Sequence, residues 1–280
     1  MTLSREYASR KLAAKTLLSI LSWLVVLVFI LPGAVILINS FKDKNEASTM
    51  DLALPAVLRP ENYATVFEKG NLAVTFLNSG LYAAGSSALT VALTLSAAFV
   101  LSRRKDRRSS VIYFFIVLGT ALPMNYVALM KVMKGLALIN TRLGLVLLYA
   151  AIAIPISLFI AYGYVSTLPR EIDEAAVIDG CSPRTLFVLV IAPLLKPIAA
   201  TVFVLDFMSS WNDFIMPLYF LNSTRTWPMT LGVYNFFGMY QTQWNLVSAD
   251  IALTSLPVLI VFVFGQKYIV GGITAGAVKG

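Results

Sequence analysis

Four long stretches of this chain, residues 17–38, 72–101, 111–130 and 143–168, contain no Asp, Glu, Lys or Arg. A helix rises about 1.5 Å per residue and the hydrocarbon layer of a bilayer is about 30 Å thick, so roughly 20 apolar residues suffice to cross it. Each stretch reaches that length. Two further apolar segments follow, 198–222, which carries Asp206 and Asp213, and about 247–267, with Asp250 at its outer edge. The expectation is an all-α membrane protein, residues 1–280 forming a single polytopic domain with six transmembrane helices over those six segments. Composition agrees. Of the 280 residues 58% are hydrophobic and 13% charged, where an ordinary soluble domain carries about 25% charged residues. Such a chain cannot cover a water-facing surface.

The formal charge of +8 invites a nucleic-acid reading, but its distribution points to membrane orientation. With the N-terminus in the cytoplasm, 14 of the 22 basic residues fall on inner segments: Arg5, Arg10, Lys11, Lys15, Arg103, Arg104, Lys105, Arg107, Arg108, Arg170, Arg184, Lys196, Lys267 and Lys279. Lys and Arg on cytoplasmic loops orient helices during insertion. The run from Arg103 to Arg108 sits between two spans, too short for a nucleic-acid arm. Lys131, Lys134 and Arg142 fall outside and count against the bias. Both termini are expected in the cytoplasm, with no nucleic-acid partner. The first stretch exceeds the roughly 7–15-residue apolar core of a cleaved signal and reads as an uncleaved span.

Cys181 is the sole cysteine and histidine is absent, which excludes an internal disulfide and removes the commonest metal ligand and general base. Neither a metal site nor enzymatic chemistry is expected. The first outer loop, 39–71, contains Pro55 and Pro60 and a short candidate helix over 63–69. The last, about 223–246, holds Trp227, Tyr234, Phe236, Phe237, Tyr240 and Trp244, which suit an interfacial belt or a surface for an extracytoplasmic partner.

Residues 169–197 break the apolar pattern most clearly. Pro169 suits the first turn of a helix whose positive end gathers Glu171, Asp173 and Glu174. Ala175, Ala176 and Ile178 continue it, and Gly180 permits the left-handed residue that ends it. Ser182 is a natural N-cap and Pro183 a natural first residue for a second helix. The pattern predicts a helix–turn–helix elbow under the membrane.

That segment resembles the cytoplasmic loop of permease subunits of ATP-binding-cassette importers, whose pattern is Glu-Ala-Ala, three residues, Gly, nine residues, then Ile-x-Leu-Pro. Here it reads Glu174-Ala175-Ala176, Gly180 and Val190-Ile191-Ala192-Pro193, departing at Val190 and Ala192. Asn78-Ser79, Trp211-Asn212-Asp213-Phe214, Gln266-Lys267-Tyr268 with Gly272, and the ending Gly276-Ala277-Val278-Lys279-Gly280 resemble the smaller, maltose-permease-like subunit of the carbohydrate branch. The resemblance implies a bacterial inner-membrane subunit that moves a sugar or oligosaccharide inward by alternating access. It would pair with a second, homologous permease, two ATPase subunits and an extracytoplasmic solute-binding protein. It implies coupling through Glu174, Ala175, Ala176, Asp179, Gly180 and Pro193. ATP and magnesium would belong to the ATPase, since this chain has no Gly-x-x-x-x-Gly-Lys-Ser/Thr loop and needs no cofactor of its own. The rival readings are import of glycerol-phosphate or another small polar solute, an ion-driven secondary transporter, and a membrane-assembly protein.

Polar residues within the spans are the candidates for the substrate path. Carboxylates cost about 2.5–3.5 kcal/mol each at mid-membrane on insertion scales, so Asp206 and Asp213 must face protein or water. Trp211 beside Asn212 and Asp213 offers an aromatic face and hydrogen-bonding groups to a sugar, or else packs helices together. Asn78 and Asn125 either bond between helices or line the path.

Overall fold

The computed structural model describes residues 2–104, 106–238 and 242–277, with side chains described over 15–104, 106–238 and 242–268. Lys105, Tyr240 and the final Val278-Lys279-Gly280 lie outside the described residues, as do the side chains of Arg5, Arg10 and Lys11. Apart from one isolated bridge between Phe237 and Thr242, the described regular structure is helical. Its order is α1 (Thr2–Asn39), α2 (Glu61–Lys69), α3 (Leu72–Arg103), α4 (Arg107–Leu118), α5 (Tyr126–Gly135), α6 (Arg142–Val165) and α7 (Glu171–Ile178). The single turn α8 (Pro183–Thr185) then runs through a π-helical stretch, Leu186–Ile191, into α9 (Ala192–Leu194). After it come α10 (Lys196–Asn212), α11 (Ile215–Phe220), α12 (Met229–Gly232) and α13 (Trp244–Ala277).

Among the described residues, α1 from Lys15, α3, α6 and α13 to Tyr268 are long and apolar enough to cross a bilayer unbroken. Pro183–Leu194 with α10 passes only as a pair bent by 74°. The expected third span, 111–130, is interrupted: α4 stops at Leu118 and α5 starts at Tyr126. Pro123, in that break, has no N–H to continue a helix, and Asn125 Oδ1 accepts the Ala128 N–H at 3.0 Å to cap the next one. The expected fifth span, 198–222, is interrupted at Asp213. Its carboxylate accepts the N–H groups of Ile215 and Met216, each at 3.1 Å, and so starts α11. The chain therefore has breaks where continuous spans were expected at 111–130 and 198–222.

The chain forms two compact units, Met1–Gly70 with Val233–Leu253, and Asn71–Gly232 with Thr254–Gly280. In the first, residues 15–33 of α1 are exposed while Asn39 at its end is buried, and an apolar stretch bare on every face requires lipid or another subunit around it. The loop after it is held by side-chain amides. Asn62 donates to the carbonyls of Ser40 and Lys42 at 2.8 and 2.9 Å, and Asn245 donates to Asn62 at 3.0 Å. Lys42, buried, meets Asp51 at 2.6 Å. The short helix expected over 63–69 forms as α2, with Val66 buried.

In the second unit α3 packs against α6 and α10. Lipid supplies no hydrophobic drive between helices, so close packing and hydrogen bonds must hold them. The buried face of α3 accordingly includes a run of small and hydroxylated residues, Ser79, Ala83, Ser86, Ser87, Thr90, Thr94 and Ala98, beside the larger Tyr82, Leu95 and Leu101. Ser87 and Thr94 return their hydroxyls to the carbonyls four residues back at 2.7 Å, so these groups are satisfied without a partner helix. At Gly265 of α13 an added Cβ would lie 2.7 Å from the Val204 side chain of α10, so any larger residue there would force that side chain to shift. One apolar cluster joins Leu95, Ala98 and Leu101 of α3 with Leu158, Ala161 and Val165 of α6, Ala176 of α7, and Leu186, Ile191, Leu195 and Ile198. The elbow is thus seated on the bundle.

Candidate functional site

The elbow forms as its caps dictate. Three acidic residues occupy the first turn of α7, where the helix dipole favours them. At its other end Gly180 has φ +81°. The Gly180 N–H donates to Val177 O and the Cys181 N–H to Ala176 O, both at 3.0 Å, which is the Schellman pairing that satisfies the last carbonyls of a helix. Ser182 Oγ then accepts the Thr185 N–H at 3.2 Å, with Pro183 in the first helical position. Pro169 stands outside α7, two residues before Glu171.

Of the expected coupling residues, Glu174, Ala175, Asp179, Gly180 and Pro193 are exposed, whereas Ala176 is buried in the bundle core. The small pair therefore splits, one alanine inward and one outward. The sequence reading passed over two neighbours. Val177 and Ile178 are 60% and 85% exposed, and with Glu174 they give the elbow an outward surface that is apolar beside a negative charge. Branched apolar residues just before a glycine stop in a loop between spans were the available signal.

The polar residues of the spans play different parts. Asn78 is a fastener: its amide donates to the carbonyls of Arg225 and Trp227, both at 3.0 Å, and its oxygen accepts from Arg142 Nε at 2.9 Å. Tyr82 adds a bond to Thr226 O at 2.7 Å, so the first turns of α3 pin the loop after α11. Asn125 caps α5 and is exposed. Trp211 is a packing residue, 3% exposed, stacked on Phe207 with ring centres 5.6 Å apart and donating to Thr254 O at 3.1 Å. Asn212 is exposed.

Asp206 within α10 and Asp213 just after it both bond α6. Tyr149 OH donates to Asp213 Oδ2 at 2.9 Å, and Ser157 Oγ lies 3.1 and 3.2 Å from the Asp206 oxygens. Between α6 and α10 lies a cavity of about 310 Å³ whose lining includes Tyr149, Ser157, Asp206, Ser209 and Ser210 among apolar side chains. Hydroxyls and a carboxylate on an apolar wall are the few convergent polar groups typical of a small-molecule site. Ser157 was missed from sequence because an isolated serine in an apolar helix usually bonds its own backbone, and Tyr149 because a tyrosine in an apolar helix reads as packing.

Comparison with known proteins follows the same lines. The model of the family described as binding-protein-dependent transport system inner membrane component matches residues 88–274. The probable starch degradation products transport system permease protein AmyC of Thermoanaerobacterium thermosulfurigenes is 35% identical over 95% of this chain and 97% of its own length. The diacetylchitobiose uptake system permease protein NgcG of Streptomyces coelicolor is 31% identical over 99% of this chain and 93% of its own. Among solved structures, a chain of a bacterial ABC transporter that imports the acidic polysaccharide alginate superposes with a TM-score of 0.81, covering 91% of this chain and 96% of that one at 20% identity. That likeness concerns the fold.

Proposed function

Because the chain belongs to the family of inner-membrane components of binding-protein-dependent transport systems, a family of transport subunits and not of enzymes, we propose that it is one permease subunit of an ATP-driven importer of a sugar or oligosaccharide. The named cargoes of its relatives, starch degradation products and diacetylchitobiose, support that substrate class. The complex contains a second, homologous permease, two ATPase subunits that carry the ATP and magnesium, and an extracytoplasmic solute-binding protein. The chain crosses the bacterial inner membrane six times with both termini in the cytoplasm, α4 with α5 making the third crossing and α10 with α11 the fifth.

The observation that carries this reading is the outward face of the elbow. Val177 and Ile178 stand exposed between Glu174 and the Gly180 stop, and an apolar patch on a short cytoplasmic helix fits an apolar-lined groove of another protein. The ATPases hold α7 in that groove. When they close on ATP the elbow moves with them, and the pathway beside Asp206 and Asp213 opens outward; hydrolysis returns it. Nucleotide shifts the equilibrium only because the ATPase pair fits the two states unequally.

Ile178→Asp tests this with little effect on the fold, since the side chain is 85% exposed. The variant inserts at wild-type levels but is not recovered when complexes are purified through the ATPase, and sugar uptake fails. Wild-type recovery together with wild-type uptake would remove the elbow from the coupling interface.

A further inference from the structure

We propose that Arg103 is the positioning residue through which movement of the elbow reaches the helix bundle, an inference that rests on the elbow's coupling role given above. Arg103 is the last residue of α3, 70 positions from its partner in α7. Its Nε lies 2.5 Å from Asp173 Oδ2, and another guanidinium nitrogen donates to Asp173 Oδ1 at 3.3 Å. The third donates to Leu168 O at 3.1 Å, in the connection that leads into α7. The link is reciprocal. Arg170, at the entry to α7, donates to the carbonyls of Ser102 and Arg103, each at 3.3 Å, which lie among the helix-end carbonyls that have no partner within α3.

Both ion-pair side chains are withdrawn from water, at 14% and 16% exposure, so the pair is less screened than a surface bridge. The guanidinium also sits 5.9 Å from the ring centre of Phe99, which packs at 5.5 Å on Phe187 in the second limb of the elbow. One side chain therefore meets the first limb directly and the second through Phe99. With only the backbone of 166–170 between α6 and α7, a pull on the elbow could be absorbed by bending there. The arginine fork transfers it to α3 instead. That helix packs on α6 and on α10, the carrier of Asp206 and Trp211.

The neighbouring charges separate this role from membrane insertion. Arg104, Arg107 and Arg108 are exposed and supply the positive charge that orients the helices, leaving Arg103 free to turn inward.

The test uses the whole complex in proteoliposomes and compares wild type with Asp173→Asn, Arg103→Gln, Asp173→Glu and the exchanged pair Arg103→Asp with Asp173→Arg. The readouts are permease retained on the ATPase and sugar imported per ATP hydrolysed. Both neutral variants retain the ATPase to within about twofold, yet import per ATP falls by about tenfold, the scale of an ordinary coupling free energy. Asp173→Glu and the exchanged pair recover most of the loss, as a mere packing role would not allow. An unchanged import ratio in both neutral variants refutes the proposal. So does retention that falls in step with uptake, since the pair would then only shape the docking face. A wild-type chain that retains no ATPase would instead sink the coupling reading beneath it.

Discussion

Gly180 gives the sharpest quantitative test, because its surroundings leave a single source of cost. At φ +81° an added Cβ meets nothing within 4 Å, so substitution there creates no clash. What remains is the backbone penalty of an L-residue in the left-handed region, about 1–2 kcal/mol. Escape from that region breaks the Gly180–Val177 and Cys181–Ala176 bonds at 3.0 Å, worth about 0.5–1.5 kcal/mol each net. Alanine should therefore shift the elbow away from its docked shape by about tenfold, since 1.4 kcal/mol is a factor of ten. Valine, β-branched, should cost more, and asparagine, which tolerates this conformation, less. The order of retention on the ATPase is then Gly, Asn, Ala, Val, read by quantifying permease recovered per ATPase. Hydrogen exchange at the amides of Gly180 and Cys181 should rise in the same order. A valine variant recovered like wild type, or asparagine weaker than alanine, would refute the reasoning.

Three further outcomes follow from other parts of the chain. In a Cys181→Ser background, Ser110→Cys should be shielded from membrane-impermeant thiol reagent in intact cells while Thr224→Cys reacts; the reverse pattern would overturn the proposed topology. Asp213→Asn and Tyr149→Phe should lower uptake with normal amounts of protein in the membrane. Trp211→Ala should lower the amount itself, since emptying a buried tryptophan site costs about 3–5 kcal/mol; blotting and uptake together separate the two cases. The Lys42 ammonium beside Asp51, helped by bonds from Thr49 and Ala53, holds that carboxyl down at about 2 against an ordinary 3.8. Its contribution to the 39–71 loop is therefore complete above pH 3.8 and lost as pH falls through about 2. Pepsin should cut the loop more readily toward the lower pH in wild type, with the step absent in Asp51→Asn, and an identical pH profile in both would contradict it.

The elbow was legible in the sequence because helix caps are local chemistry. Gly180, Ser182 and Pro183 act on residues within a few positions of themselves, and each does in the structure what its type implies. Long apolar helices were legible for a similar reason, length and hydropathy being properties of one segment. The breaks were not. Pro123 and Asp213 could each sit inside a continuous membrane helix, and only the bonds they make, or lack, end one there. Contacts across the chain were hidden as well. Nothing near Asn78 signals that it fastens a loop almost 150 residues on, nor does Arg103 in a basic run announce a partner in α7. Trp211 could be read as a sugar platform or as packing, because an aromatic beside polar groups fits both; Phe207 stacked on it and the bond to Thr254 place it within the helix packing.

The central claim is that this chain imports sugar with energy taken from ATP on another subunit through the elbow. Reconstitution with its permease and ATPase partners in vesicles loaded with ATP and magnesium, with the binding protein and a panel of labelled oligosaccharides outside, tests it most directly. The account predicts accumulation of at least one sugar that requires internal ATP and the binding protein, persists when ion gradients are collapsed, and is abolished by Ile178→Asp. Accumulation that proceeds without ATP and stops when a proton or sodium gradient is collapsed would contradict it.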